Sequence, residues 1–285
     1  MKPIERGYSL LELLVALTLA LFLSSGMINI FIQSKHIYQL TQNLNEIQIN
    51  ARTAINALSH DIRMAGLIGC VRLIDFLPRH SHLTPDTSLV VWHNGQTTAK
   101  LALPKLARYR QDSDIILIQS MNPNTIPIRF AKDGNISLMN RAAFAPNDSL
   151  LISDCQHAEV FNWGHKNLKY IYQLGSELGF FDKIIYYIAD TGRISETGQG
   201  IYALYRRNLN RSVKKPIELV EGIEKMSIRL GIKDAHGNLN YTDADKVKRW
   251  SDARSVEIKL CLTNKKKIRR EWQYIVALRE REAYD

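Results

Sequence analysis

An α+β fold is predicted, with one long N-terminal helix followed by a mostly antiparallel β-sheet head. Residues 4–77 contain no proline, and an apolar run over 10–23 passes without a break into a stretch whose apolar residues recur at helical spacing. Beyond Cys70 the pattern changes to short segments rich in β-branched and aromatic residues, separated by turn residues. With 285 residues and 45% hydrophobic content, the chain can bury a sizeable core, and one domain plus one extended element suits its length.

The helix is expected to run from Tyr8 to about Met64, near 85 Å at 1.5 Å per residue. Only Glu12 and Thr18 interrupt the apolar run over 10–23, and with residues 26–32 it makes a segment of about 25 residues, roughly 37 Å long and able to span a bilayer. In its second half Ile37, Leu40, Leu44, Ile47, Ala51, Ala54, Leu58 and Ile62 alternate spacings of 3 and 4, with polar residues between them, so one stripe should face a core. Ser24, Ser25 and Gly26 form a weak point where the helix could bend, and Gly66 and Gly69 should end it.

Ten strands are expected, at 88–92, 114–119, 126–130, 136–139, 149–152, 183–188, 201–206, 225–230, 255–262 and 272–278. Asp133, Gly134 and Asn135, and again His236, Gly237 and Asn238, have the composition of hairpin tips.

The formal charge of +10 suits nucleic acid, an anionic membrane surface or an acidic protein. The basic residues are scattered, and the one dense run, 265–270, lies between two strands, where a solvated hairpin tip is the favoured reading over a binding arm. Without a compact aromatic and Arg/Lys constellation, nucleic acid is kept only as a lesser alternative partner. No motif for acyl, phosphoryl or hydride transfer is present, so no catalytic residue and no cofactor are expected. His80 and His82 lack a third ligand, and Asp243 and Asp245 open like a calcium loop but are followed by Lys246 and Val247, so no metal is expected. Tyr186, Tyr187, Tyr202 and Tyr205, at strand spacing, are expected to fill a core or a sheet face.

Three readings compete for the N-terminus. An ordinary secretory signal and a single-pass anchor both leave Glu12 unexplained, because a carboxylate in an apolar helix costs on the order of 2 to 3 kcal/mol on the lenient insertion scale and asks for a partner. The third reading supplies that partner. A short basic leader, then Gly7, Tyr8, Ser9, Leu10, Leu11, Glu12 and a long apolar run resemble the class III signal of type IV pilins and type II secretion pseudopilins. The resemblance implies a type IV pilin-like fold. It also implies cleavage by a prepilin peptidase between Gly7 and Tyr8, N-methylation of Tyr8, and a docking role for Glu12, whose carboxylate would meet the mature amine of a neighbouring subunit. Tyr8 departs from the usual phenylalanine but keeps an aromatic ring.

Further resemblances lie in the head. Residues 63–66 with Gly69 and Cys70, then 114–117, 151–161, 186–189, 203–207, 219–224 and 277–279, resemble in order the PilW type of minor pilin. The implied organisation is a leader over 1–7, a transmembrane or filament-core half-helix over 8–32, an amphipathic half-helix over 33–69 and a periplasmic head over 70–285. The implied function is a non-catalytic subunit that helps prime assembly of the type IV pilus and sits at or near its tip, supporting adhesion, twitching motility or DNA uptake. Its partners would be prepilin peptidase, other minor pilins and the major pilin, the inner-membrane assembly platform and membrane lipid. It would sit in the inner membrane before assembly and on the pilus or cell surface afterwards. The alternatives are a type II secretion pseudopilin and a DNA-binding pilus receptor.

With the head on the oxidising side of the membrane, a disulfide is expected between Cys70 and Cys155, with Cys261 free. Strand alternation puts Cys261 with Glu257 and Lys259, away from the apolar side of its strand, while the other two lie at element ends.

Overall fold

In the computed structural model, which describes residues 9–70, 87–95, 102–165, 167–195, 198–211, 215–234, 236–247, 249–264 and 268–278, the chain opens with a 54-residue helix, α1 (Leu10–Arg63). At 1.5 Å per residue α1 is about 81 Å long. No proline interrupts it, and the helix continues through Ser24, Ser25 and Gly26. Gly7, Tyr8, His80, His82 and Lys265, Lys266 and Lys267 fall outside the described residues, as does the tail from 279 onward.

Thirteen strands follow among the described residues: β1 (Leu89–Trp92), β2 (Ile115–Met121), β3 (Ile126–Lys132), β4 (Asn135–Leu138), β5 (Ser149–Ser153), β6 (Ala158–Asn162), β7 (Glu177–Ile194), β8 (Gly200–Asn208), β9 (Ile217–Glu221), β10 (Ile223–Lys233), β11 (Leu239–Asp243), β12 (Ala253–Thr263) and β13 (Arg269–Ala277). Every pairing between them is antiparallel, so the architecture is the α+β arrangement that the change of pattern predicts: a long helix and an antiparallel head.

A nine-stranded sheet is organised around β7. Its residues 184–186 pair with both β2 and β8, which therefore lie on opposite edges, while its start pairs with β3 and β5; β1, β4, β6 and β9 are the outer strands. The second sheet has the order β11-β10-β12-β13. The two sheets meet where Asp114 N–H donates to Met226 O at 2.8 Å and Ile228 N–H donates to Asp114 Oδ2 at 2.6 Å. Burial holds the Asp114 carboxyl above its ordinary pKa even though two backbone N–H groups and His93 favour the charged form.

The chain divides into two compact units, Met1–Glu46 and Ile47–Asp285. In the second, Ile47, Ala51, Ala54, Leu58 and Ile62 are at most 3% exposed and share one core with Leu89, Ile116, Tyr186 and Leu204 of the large sheet and Met226, Ile258 and Val276 of the small one. The two alanines leave room for close approach of helix to sheet. Each fully buried large aliphatic contributes roughly 1.5–3 kcal/mol. The predicted stripe is thus buried from Ile47 onward, whereas Ile37 and Leu40, its first members, are 63% and 44% exposed.

All ten expected strands are present. Three more, β6, β9 and β11, are five residues each and carry Glu, Asn or Asp within the strand, which weakens their alternation. β7 is 18 residues long instead of six: it starts at Glu177 and takes in Asp182, which reads as a break but is buried in the strand, and it continues past Ile188 to Ile194. Asp182 accepts bonds from Asn122, Asn208 and Arg211. The tip at Asp133 and Gly134 has both residues at positive φ, 47° and 85°, as a two-residue hairpin closed by Lys132 and Asn135 requires.

Candidate assembly surface

The start of α1 is fixed by a side-chain cap. Ser9 precedes the first helical residue, and its Oγ accepts the N–H of Glu12 at 3.2 Å. Four N–H groups at a helix start lack helical partners, so a serine here satisfies one of them. Ser9 and Glu12 have the spacing of a capping box, and the Glu12 carboxylate lies in the first turn, at the positive end of the helix dipole. The Ser-x-x-Glu pattern is visible in the sequence, but attention to Glu12 as a docking group passes over it.

From Leu10 to Ile32 every large apolar side chain is exposed, between 51% at Val15 and 81% at Phe22. An 18-residue window of α1 has a mean hydropathy of 2.1, and none of it is buried within the chain. Within α1, Glu12 is the only charged residue before Lys35. A helix apolar on all sides is stable against lipid or against other helices, not against water. By length and composition α1 can cross a membrane. Thr18 adds no unsatisfied polar group, since its hydroxyl donates to Val15 O at 2.9 Å.

At its other end α1 is held by a buried polar cluster. Asp61 Oδ2 accepts the Tyr186 hydroxyl at 2.6 Å and Arg206 Nε at 2.9 Å, and Arg206 Nε also donates to the Tyr186 oxygen at 3.1 Å. Burial, reinforced by the Asp61 charge, pushes the Tyr186 phenol well above its ordinary pKa. Tyr186 thus fills the core as its spacing suggests, while Asp61 is a buried acid that helix periodicity alone does not mark.

The chain leaves α1 through Gly66, at φ 85°, whose N–H donates to Gln119 O at 2.9 Å. At Gly69, φ 98°, a Cβ would lie 2.6 Å from Ser153 Oγ, so only glycine fits. Cys70 follows and forms a disulfide with Cys155, with Cα atoms 5.1 Å apart across 85 residues of sequence. Cys155 sits in the β5–β6 turn, where Asp154 Oδ1 accepts the N–H groups of Gln156 and His157. Cys261 is a free, buried thiol that accepts Arg269 Nε at 2.7 Å, and burial pushes its pKa up.

The remaining candidate residues have structural partners. Asp243 is paired with Lys246 at 2.8 Å, which holds its carboxyl below the usual range, and no cluster of three or more His, Cys, Asp or Glu suited to a metal occurs among the described residues. Tyr187 stacks on Tyr205 with centroids 5.8 Å apart, and the Arg110 guanidinium lies 4.6 Å over the Tyr202 ring. A shallow cavity beside the β3–β4 hairpin, lined by Phe130, Gly134, Asn135, Ile136 and Ser137, carries no ionisable side chain.

The family model for Type IV Pilus-assembly protein W matches residues 185–279, from within β7 to the end of β13. Over that third of the chain the protein is similar to this family, and the similarity supports a role in type IV pilus assembly. No curated protein and no solved structure matches the chain.

Proposed function

From a head similar to pilus-assembly protein W, we propose that this chain is a minor pilin, a non-catalytic subunit that helps prime the type IV pilus and stays at or near its tip. The observation that carries the reading is the first half of α1, residues 10–32, which is apolar and exposed on all sides with a single carboxylate, Glu12, in its first turn. In this reading prepilin peptidase cuts between Gly7 and Tyr8, leaves the helix attached and allows N-methylation of Tyr8. The protein waits in the inner membrane with its head in the periplasm, then moves into the filament with other minor pilins.

Glu12 acts when helices pack. A charge at the centre of a bilayer costs about 2.5–3.5 kcal/mol on the insertion scale, so the carboxylate and the mature amine of a neighbouring subunit each gain from meeting. Such a pair fixes register more than it adds net stability, and losing one partner is the expensive event. The Cys70–Cys155 disulfide and the Asp61–Tyr186–Arg206 cluster hold the C-terminal turns of α1 to the sheet, so a load on that part of the helix reaches the head. The family match favours a pilus over a secretion pseudopilus.

The test is Glu12→Ala and Glu12→Val in cells that make pili. Both variants should keep the wild-type mature N-terminus but be recovered in sheared pili at a small fraction of the wild-type level. Undiminished recovery of both would remove Glu12 from docking.

A further inference from the structure

We propose that β13 is a docking edge that accepts an added β-strand from another pilus subunit, one whose strand carries carboxylates; the inference rests on the pilus-subunit reading above. Among the described residues, β13 pairs only with β12, in an uninterrupted nine-residue register from Ser255↔Ala277 to Thr263↔Arg269. The Leu278 N–H donates to Arg254 O at 2.9 Å, so by antiparallel alternation the N–H and C=O groups of Arg269, Glu271, Gln273, Ile275 and Ala277 point away from β12.

Open edges are ordinarily kept short, bent or covered, because they recruit other strands. The other outer strands of this head follow that rule. β1 and β4 have four residues each and β6, β9 and β11 five, and the β3–β4 and β8–β9 pairings contain register shifts. β13 departs from it: nine residues, no bulge in its pairing, no proline, and Tyr274 and Ile275 exposed by 38% and 49%.

Charge selects the occupant. The first residues of the edge carry two exposed cations, Arg269, whose Nε is bonded to Cys261, and Arg270, against one exposed carboxylate, Glu271, on a chain of net charge +10. Approach of a second copy brings like charges together, whereas a strand bearing Asp or Glu opposite this end is attracted. The neutral stretch from Trp272 to Ala277 then supplies backbone hydrogen bonds and apolar contacts, as in strand addition to a sheet edge.

The experiment uses the full-length chain in piliated cells, with p-benzoylphenylalanine at Tyr274 as a photocrosslinking probe and adducts mapped by mass spectrometry. The expected adduct is to an acid-containing strand of a different pilus subunit. Ile275→Pro removes one outward N–H and leaves the β12 pairing in place, and should lower the adduct about tenfold, as loss of one or two backbone bonds implies. Arg270→Glu, which leaves the backbone alone, should also lower it several-fold, and Ile275→Ala should keep it. Both the proline and charge variants should retain the Cys70–Cys155 disulfide as a check on folding. Adducts confined to a second copy of this chain, or equally abundant in Ile275→Pro and Arg270→Glu, overturn the proposal. Recovery of the probe-bearing protein in sheared pili with no Tyr274 adduct overturns edge docking alone, whereas absence of the wild-type protein from pili overturns the minor-pilin reading and this inference with it.

Discussion

The Tyr186 hydroxyl donates to Asp61 Oδ2 at 2.6 Å, joining the last turns of the long helix to the central strand of the head. Arg206, from the neighbouring strand β8, completes the cluster through its Nε at 2.9 Å. Tyr186→Phe should therefore cost about 1–2 kcal/mol, the value of a hydrogen bond to a charged group less the retained ring packing. Asp61→Ala leaves Arg206 without its carboxylate. Because that side chain is 29% exposed, the loss should fall near the lower end of the roughly 3–5 kcal/mol typical of broken buried pairs. Urea unfolding of the detergent-solubilised chain, followed by the near-UV signal of the head, measures both.

Alkaline pH should destabilise the head. Tyr186 and Tyr172 are pushed well above the ordinary phenol range by burial and by Asp61 and Glu159, and Tyr205 is pushed up to about 12. A group whose folded pKa is raised contributes stability that is fully present below the unfolded value, about 10 for a phenol, and is lost as pH rises through the folded value. The urea midpoint should hold steady up to about pH 10 and then fall, and the fall should be shallower in Tyr186→Phe. A midpoint that rises above pH 10 would contradict the placement of these phenols.

Removing the disulfide should be costly. It closes 85 residues between the exit of α1 and the β5–β6 turn, which in the chain-entropy model corresponds to about 4.6 kcal/mol. The double substitution Cys70→Ser with Cys155→Ser should lower the thermal midpoint of the head by several degrees, and dithiothreitol should lower the wild type equally while leaving the double variant unchanged.

Much of this architecture is legible in the residues because their periodicity changes once, near Cys70, from helical to alternating. The helix and ten strands follow from that change. What escapes is polar: Asp182 within β7 and Asp61 on the buried side of α1 look like surface positions until their partners are in place, and the acidic residues of β9 and β11 weaken the alternation of short strands. The extent of the buried helical stripe escapes for another reason. Ile37 and Leu40 have the same spacing as Leu58 and Ile62, and only the folded head determines which of them are covered. At the candidate site Glu12 stands out as the lone carboxylate of an apolar segment; the Ser-x-x-Glu spacing that marks Ser9 as a cap is also in the sequence, and the structure adds the bond that Ser9 makes.

The central claim is that α1 is retained as the N-terminal helix of a mature pilin, and the mass of the mature N-terminal peptide tests it most directly. Protein extracted from membranes that contain prepilin peptidase should begin at Tyr8, with a further fraction heavier by one methyl group, and should carry Ser9 and Glu12 in its first turn. A mature terminus near Met27, beyond the apolar run, would mean that the segment is an ordinary signal removed on export and would contradict the account.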